Sequence, residues 1–371
     1  KPARSATLAA AVALGAIGVT FGVGLAASLT GIDRGLNQHE PGQVTVHTFA
    51  PPGPSTAGPP QPADQAAVAD AIRAQPGTRR FFGTGQTRVG VAGLAGPNTT
   101  VIAYQGDSSW GPYQMISGSW LTGPGQAVVP TGFLNLTGAH IGDTITMTHA
   151  GHQAPVRIVG EALSLNDEGQ EILTEAASLA GLGAQAIPDP DEFHVDLKPG
   201  TDVKSYVDSI NASLQPLGAL AEANSSRSSD TVVAMDSLAA TLTLMLVTVA
   251  GLGVLNTVVL DTRDRVHDLG VFKALGMSPK QTIAMVITSV AGIGLLAGVL
   301  GVPIGIVLHH LVLPAMGHAA GTRIPAADIA VYHLPVLLPL ALGGLIIAVM
   351  GALLPAGWAA RTGTATALRT E

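Results

Sequence analysis

The chain has 371 residues, a formal net charge of −7 and a mean hydropathy of +0.40, although 46 glycines and 25 prolines dilute its apolar content. The apolar residues are therefore gathered into blocks, which points to bilayer-spanning segments rather than an evenly soluble chain. The absence of cysteine excludes disulfides and thiolate metal sites, and the dispersed basic residues argue against a nucleic-acid partner.

Residues 6–29 form the first stretch long enough to cross a hydrocarbon core about 30 Å thick, which takes on the order of 20 helical residues. Lys1 and Arg4 ahead of it and Ala26, Ala27 and Ser28 at its end resemble a secretory signal, but signal peptides use an apolar core of only about 7–15 residues. A retained membrane helix is expected. The start at Lys1, without Met, suggests the later part of a longer protein.

Next comes a region rich in strand and turn signals. Residues 43–49 read as an extended segment, 50–62 as a Pro/Gly linker, and 63–74 as a helix with Val68 and Ile72 on its apolar side. Strands are expected at 79–82, 87–92, 100–105, 126–130, 143–148 and 156–162, and again at 193–197 before a stop at Lys198-Pro199-Gly200. Residues 202–214 form an amphipathic helix. Strand-helix-strand, a β-rich stretch, then strand-helix-strand suits a split ferredoxin-like βαβ layer carrying a β-rich insert at about residues 97–190. The fold class expected is thus a four-helix membrane protein with an α+β extracytoplasmic domain.

Three more apolar stretches follow at 237–260, 282–311 and 334–354, and none of the four holds Lys, Arg, Asp or Glu in its interior. Lys1 and Arg4, then Arg263, Arg265, Lys273 and Lys280, then Arg361 and Arg369 flank helix ends that should face the cytoplasm. Residues 312–333 contain only Arg323 as a basic residue and should face outward, as should residues 31–236. The chain then divides into a first helix (1–30), an outer domain (31–236), a second helix (237–260), a cytoplasmic segment (261–281), a third helix (282–311), an outer loop (312–333), a fourth helix (334–357) and a tail (358–371). Gly18, Gly22, Gly294, Gly298, Gly301 and Gly305 recur at spacings that let helices approach closely. They read as packing faces, within the chain or in a dimer or pseudo-dimer contact. His309 and His310 close the third helix, where an interfacial position among headgroups is the preferred reading over pH sensing. Trp110, Tyr113, Trp120 and Phe133 read as core in preference to ligand contacts.

The run RDRVHDLGVFKALGMSPKQ, residues 263–281, mixes both charge signs with Val266, Leu269, Phe272 and Leu275 at near-helical spacing. It should form a short amphipathic helix broken near Gly276, either docking on a surface or serving as a connector. Its pattern of Asp268, Gly270, Lys273, Ala274-Leu275-Gly276 and Gln281 resembles the coupling segment of the FtsX/MacB-like family of ABC-transporter permeases. Three other places agree: KPARSA at 1–6, WLTGPGQAVVPTGFLNLTGAHIGDTITM at 120–147, and LLPAGWAARTGTATALR at 353–369. One departure is Asp268, where that family usually has Glu; another is the start without Met, as in the later half of a duplicated permease.

The resemblance implies a plasma-membrane permease subunit whose outer part is a MacB-like periplasmic core domain. It further implies a separate ABC ATPase carrying ATP and Mg, met by Arg263, Arg265, Val266, Asp268, Leu269, Phe272 and Lys273. The output would be export or extraction of lipoprotein, peptide or antibiotic; the alternative is signalling to an outside partner, such as a cell-wall hydrolase, without transport. No G-x-x-x-x-G-K-[ST], H-E-x-x-H or G-x-S-x-G occurs in the sequence, so no P-loop, zinc or nucleophile-elbow chemistry is expected of this chain itself.

Overall fold

The computed structural model describes residues 2–37, 39–48, 64–94, 99–224, 230–264, 271 and 275–361. The expected linker at 50–62 lies outside them. The chain divides into two compact units: Lys1–Thr30, Ser229–Ala315 and Ala327–Glu371 form one, and Gly31–Ser228 with Met316–Ala326 form the other.

The second unit is α+β. Its core is β1 (Val44–His47), α2 (Gln65–Ala74) and β2 (Thr78–Val91), answered by β9 (Glu192–Leu197), α4 (Val203–Leu214) and β10 (Leu220–Ala223). These strands lie in the order β10-β1-β9-β2 with every neighbouring pair antiparallel, the arrangement expected of a ferredoxin-like layer. Asp64 caps α2 by accepting the N–H groups of Ala66 and Ala67, and Asp202 caps α4 by accepting that of Ser205, so both helices start at a satisfied terminus. Val68 and Ile72 on α2, with Tyr206, Ile210 and Leu214 on α4, bury one stripe of each helix against Val44, Val46, Phe193 and Val195. Residues four apart share a helix face, which explains the i, i+4, i+8 set on α4.

Between β2 and β9 sits the insert: β3 (Thr99–Gln105), β4 (Met115–Gly118), β5 (Gln126–Pro130), α3 (Thr131–Thr137), β6 (Thr144–His149), β7 (His152–Ala162) and β8 (Glu171–Glu175). It continues the same sheet as β2-β3-β8-β5-β7-β4, with β6 pairing β2 and β7. Phe133, Met147, Ile158 and Leu179 are fully buried in its core.

The expected break between strands at 79–82 and 87–92 is absent: β2 is continuous through Gly83-Thr84-Gly85. Those glycines make room instead of turning the chain. A Cβ on Gly83 would lie 2.9 Å from Pro190 Cβ, and one on Gly85 would lie 3.1 Å from the carbonyl carbon of Asp189. The sequence reading also passed over β4, which is four residues long, and β8, whose residues Glu171–Thr174 are all buried, so neither shows clean alternation.

Among the described residues, four helices are long and apolar enough to cross a membrane: spans Ala9–Leu36, Ala240–Leu260, Pro279–Ala319 and Ala326–Trp358. They fall on α1 (Pro2–Asn37), α5 (Asp230–Asp264), α6 (Pro279–Ala319), and the short α7 (Ala326–Ile329) followed by α8 (Leu334–Arg361). The helices outrun the apolar stretches read from sequence. Hydropathy marks only the hydrocarbon-deep part, whereas helical hydrogen bonding continues through polar flanks; the 41 residues of α6 extend about 60 Å. Val12, Ala250, Val254, Val290, Ala297 and Ala348 pack inside this unit. Leu244, Leu311 and Leu354 face outward at 66%, 67% and 73% exposure, as a lipid-facing surface requires.

Candidate coupling segment and helix contacts

The segment between α5 and α6 is bounded by two well-defined ends. Arg263 is exposed in the last turn of α5. Arg265, Val266, Asp268, Leu269 and Phe272, with Lys273, lie outside the described residues. Leu275 is 81% exposed and Gly276 adopts φ +102, a backbone that favours glycine. Ser278 then opens α6 through a reciprocal cap: its N–H donates to Gln281 Oε1 at 2.8 Å, and the Gln281 N–H points to Ser278 Oγ at 3.4 Å. Pro279 occupies the first helical position, where its missing N–H is harmless. Gln281, the last residue of the family-like pattern, thus has a local job as a helix cap.

Each of the six glycines singled out in the sequence faces another helix. A Cβ on Gly18 would meet Leu246 Cδ1 at 2.6 Å, and one on Gly22 would collide with Thr243 Oγ1, both on α5. Gly301 and Gly305 of α6 face Ala16 Cβ at 2.8 Å and Thr20 Cβ at 2.7 Å on α1. Gly294 and Gly298 abut α8, where a Cβ would run into Ala348 Cβ and the Ala341 carbonyl oxygen respectively. Three helix pairs therefore meet through missing side chains, the geometry by which helices in lipid gain van der Waals contact. Gly15, Gly344 and Gly351 sit in equally tight contacts, and repeats of small residues at spacing four or seven would have flagged them.

A polar node ties α1 to the later helices. Ser28 Oγ donates to the Asp328 carbonyl at 2.6 Å and lies 3.0 Å from His309 Nε2. Since the Ser28 proton is committed to Asp328, His309 Nε2–H is the donor in that second contact. Tyr332 OH donates to the Thr20 carbonyl at 3.0 Å, and its ring meets His309 edge-on with centroids 5.2 Å apart. His309 is fully buried. Its partners, Ser28 some 280 residues upstream in α1 and Tyr332 some 20 downstream, are far from it in sequence, and its sequence neighbours gave no hint of them. His310 remains exposed and meets the Ile306 carbonyl at 2.9 Å.

In the α+β unit, Tyr113 and Trp120 are buried and stack with centroids 5.8 Å apart, while Trp120 Nε1 donates to Ser108 Oγ at 3.2 Å. Trp110 is half-buried between Phe82 and the Arg80 guanidinium, whose carbon lies 4.9 Å from the indole centroid. Tyr113, Trp120 and Phe133 are core, and Trp110 packs against its edge. Beneath them Glu171 is 1% exposed and accepts the Ser164 hydroxyl. Burial lifts its carboxyl from 4.5 to about 7, with Ser164 pulling the other way and Asp167 adding repulsion. Burial drives the opposite shift in His194, lowering its imidazole to about 4, helped by nearby His47. No group of three or more His, Asp or Glu placed to hold a metal occurs among the described residues.

Long apolar helices meeting through glycines, together with an α+β unit built between the first two of them, define a multi-pass membrane protein. Residues 240–365 match the FtsX-like permease C-terminal family, so this part of the chain is an FtsX-like permease domain. No curated protein matches the chain in sequence. Among solved structures, the periplasmic region of MacB from Actinobacillus actinomycetemcomitans aligns at 12% identity and TM-score 0.38, over 55% of this chain and 95% of that one. The extracellular domain of the noncanonic ABC-type transporter YknZ from Gram-positive bacteria aligns at 12% identity and TM-score 0.35, over 48% and 99%. The assignment of the α+β unit rests on its own strand order.

Proposed function

We propose that this chain is the permease component of an ABC transporter in which a separate ATPase, carrying ATP and Mg, drives movement of the α+β unit on the outer face of the plasma membrane. The observation that carries this reading is the family match over residues 240–365, which encloses the segment 261–281 between α5 and α6. Basic residues at that segment and at both chain ends put it on the cytoplasmic side by the positive-inside rule, where an ATPase is accessible. A second permease copy, or the other half of the same permease, completes the transporter. Its cargo class is lipoprotein, peptide or antibiotic, exported or extracted without an ATP site in this chain.

Within the coupling segment, an apolar patch of Val266, Leu269 and Phe272 supplies the contact energy, and Arg263, Arg265, Asp268 and Lys273 orient it. Burying a Leu or Phe side chain is worth about 1.5–3 kcal/mol, whereas an exposed ion pair contributes about 0–1 kcal/mol. The test is co-purification of an ATPase from native membranes together with permease-stimulated ATP hydrolysis. Leu269→Ala and Phe272→Ala should reduce both more than Arg263→Ala does, while Asp268→Asn should lower stimulation more than binding. Variants that insert, bind and stimulate like the parent would reduce the segment to a connector.

A further inference from the structure

Glu161, near the end of β7, is fully buried. A buried carboxylate persists only with donors around it, and this one collects them from three separate elements. Its Oε1 accepts Thr131 Oγ1–H at 2.6 Å; its Oε2 accepts Ser117 Oγ–H at 2.9 Å and Arg323 Nη1–H at 3.3 Å. Ser117 comes from the edge strand β4 and Thr131 opens α3. Arg323 comes from Met316–Ala326, the segment from the last turn of α6 to the start of α7 that belongs to the α+β unit.

Arg323 reaches the carboxylate twice. Besides the guanidinium, its main-chain N–H donates to Thr131 Oγ1 at 3.1 Å, and that hydroxyl hands its own proton to Glu161. Thr131 is therefore a relay between the backbone of the segment and the buried anion. The segment is shaped to present Arg323: Thr322 N–H returns to the Gly317 carbonyl at 2.9 Å, Gly321 takes φ +76, and Ile324 closes over Gly317, where a Cβ would lie 2.8 Å from Ile324 Cγ1. The two arms differ in access. The Arg323 side chain is 56% exposed on the rim of an open pocket of about 400 Å³ that Leu134, Asn135, His140 and Ile141 also border. The relay arm ends on Thr131, which is 3% exposed.

We propose that Glu161, Thr131 and Arg323 form a latch that fastens the segment between the third and fourth membrane helices to the insert, with a sheltered main-chain arm and a releasable guanidinium arm. Arg323 is a positioning residue here. Because the latched segment continues directly into α6 and α7, displacement of the insert is passed to those helices through the latch, a second route besides the chain connections of α1 and α5. This inference stands or falls independently of the ATPase assignment.

Hydrogen–deuterium exchange on the full chain in lipid nanodiscs tests it. Thr131→Val removes the relay and Arg323→Ala the exposed arm; each should speed exchange of residues 316–326 by roughly two- to tenfold, the range of a single lost hydrogen bond or screened ion pair. Arg323→Lys, which keeps the charge and a donor, should fall between parent and Arg323→Ala. Exchange of β1 and β9 should stay at the parental rate in all three. Glu161→Gln, which discharges the shared acceptor, should match or exceed either single change. Parental exchange at 316–326 in both Thr131→Val and Arg323→Ala, or acceleration spread evenly across the α+β unit in both, overturns the latch.

Discussion

Replacing Glu171 by Gln should change stability in a pH-dependent way that follows from its burial. In the folded chain the carboxyl titrates near 7 against 4.5 for an ordinary glutamate; at about 1.4 kcal/mol per unit, the upper bound of the effect is about 3 kcal/mol. The folded state holds the proton more tightly than the unfolded state, so stability contributed by Glu171 is present below pH 4.5 and is lost as pH rises toward 7. His194 acts in the opposite direction. Its imidazole is depressed from 6.5 to about 4, so folding gains stability as pH rises across that interval. In the parent the two slopes largely cancel between pH 4.5 and 6.5, and a flat profile there would hide both. Gln keeps an oxygen for the Ser164 hydroxyl and removes the titration. The difference between Glu171→Gln and parent should therefore grow in favour of the variant from pH 5 to pH 8 by up to about 3 kcal/mol, then level off. Unfolding of the full chain followed by tryptophan emission is suitable, because two of its three tryptophans, Trp110 and Trp120, lie in the α+β unit. A variant-minus-parent difference that stays constant across this pH range would refute the argument.

Gly294→Val should lower the midpoint of thermal unfolding, since overpacking of a tight contact costs about 1–3 kcal/mol, whereas Gly292→Val, with nothing within 4 Å of its ideal Cβ, should behave like the parent; equal effects would mean that contact with α8 is irrelevant. Ser278→Ala removes the cap on α6 and should destabilise the helix start by about 1 kcal/mol, visible as faster amide exchange at residues 280–282 and nowhere else. Because the chain has no cysteine, topology is testable with single introduced thiols: Ser109→Cys should react with an impermeant maleimide in intact cells and Lys280→Cys only after permeabilisation. Ser109 and Lys280 are both exposed, whereas neighbouring Ser108 is buried under Trp120 and would give a misleading negative.

The ferredoxin-like core was legible because its signals are local. Capped amphipathic helices such as Val203–Leu214 declare their buried face within a dozen residues, and the polar–apolar alternation of Glu192–Leu197 marks Phe193, Val195 and Leu197 as the side that meets them. The four membrane segments were legible for a similar reason, since the bilayer reads length and hydropathy rather than partners. What depended on distant neighbours was not legible. Gly83 and Gly85 resemble turn residues until Asp189 and Pro190 are known to cross them. His309 shows no partner until Ser28 and Tyr332 are brought to it. The glycine spacing at 294, 298, 301 and 305 marks small faces on a helix, but the alternation by which one pair meets α8 and the other meets α1 emerges only in three dimensions. Arg323 stood out as the lone cation of its loop, yet its partner is a glutamate 162 positions upstream.

The way β2 hands over to β9 bears on how such a chain diversifies. Thr84 pairs with Glu192 across the two strands, and the Asp191 N–H donates to the Thr84 carbonyl at 2.8 Å, so the insert leaves and re-enters the core at adjacent, hydrogen-bonded positions. To the core, everything from Gln86 to Pro190 is topologically a long hairpin loop. Loops closed at a paired base tolerate changes of length at little entropic expense, because closure grows only with the logarithm of length. Recombination or deletion within that interval would leave the four core strands and both capped helices with their register unchanged. The insert is thus the portion that the core itself leaves open to exchange as a cassette, provided Glu161 and Thr131 are kept for Arg323, and sequence differences should accumulate there before they reach the core.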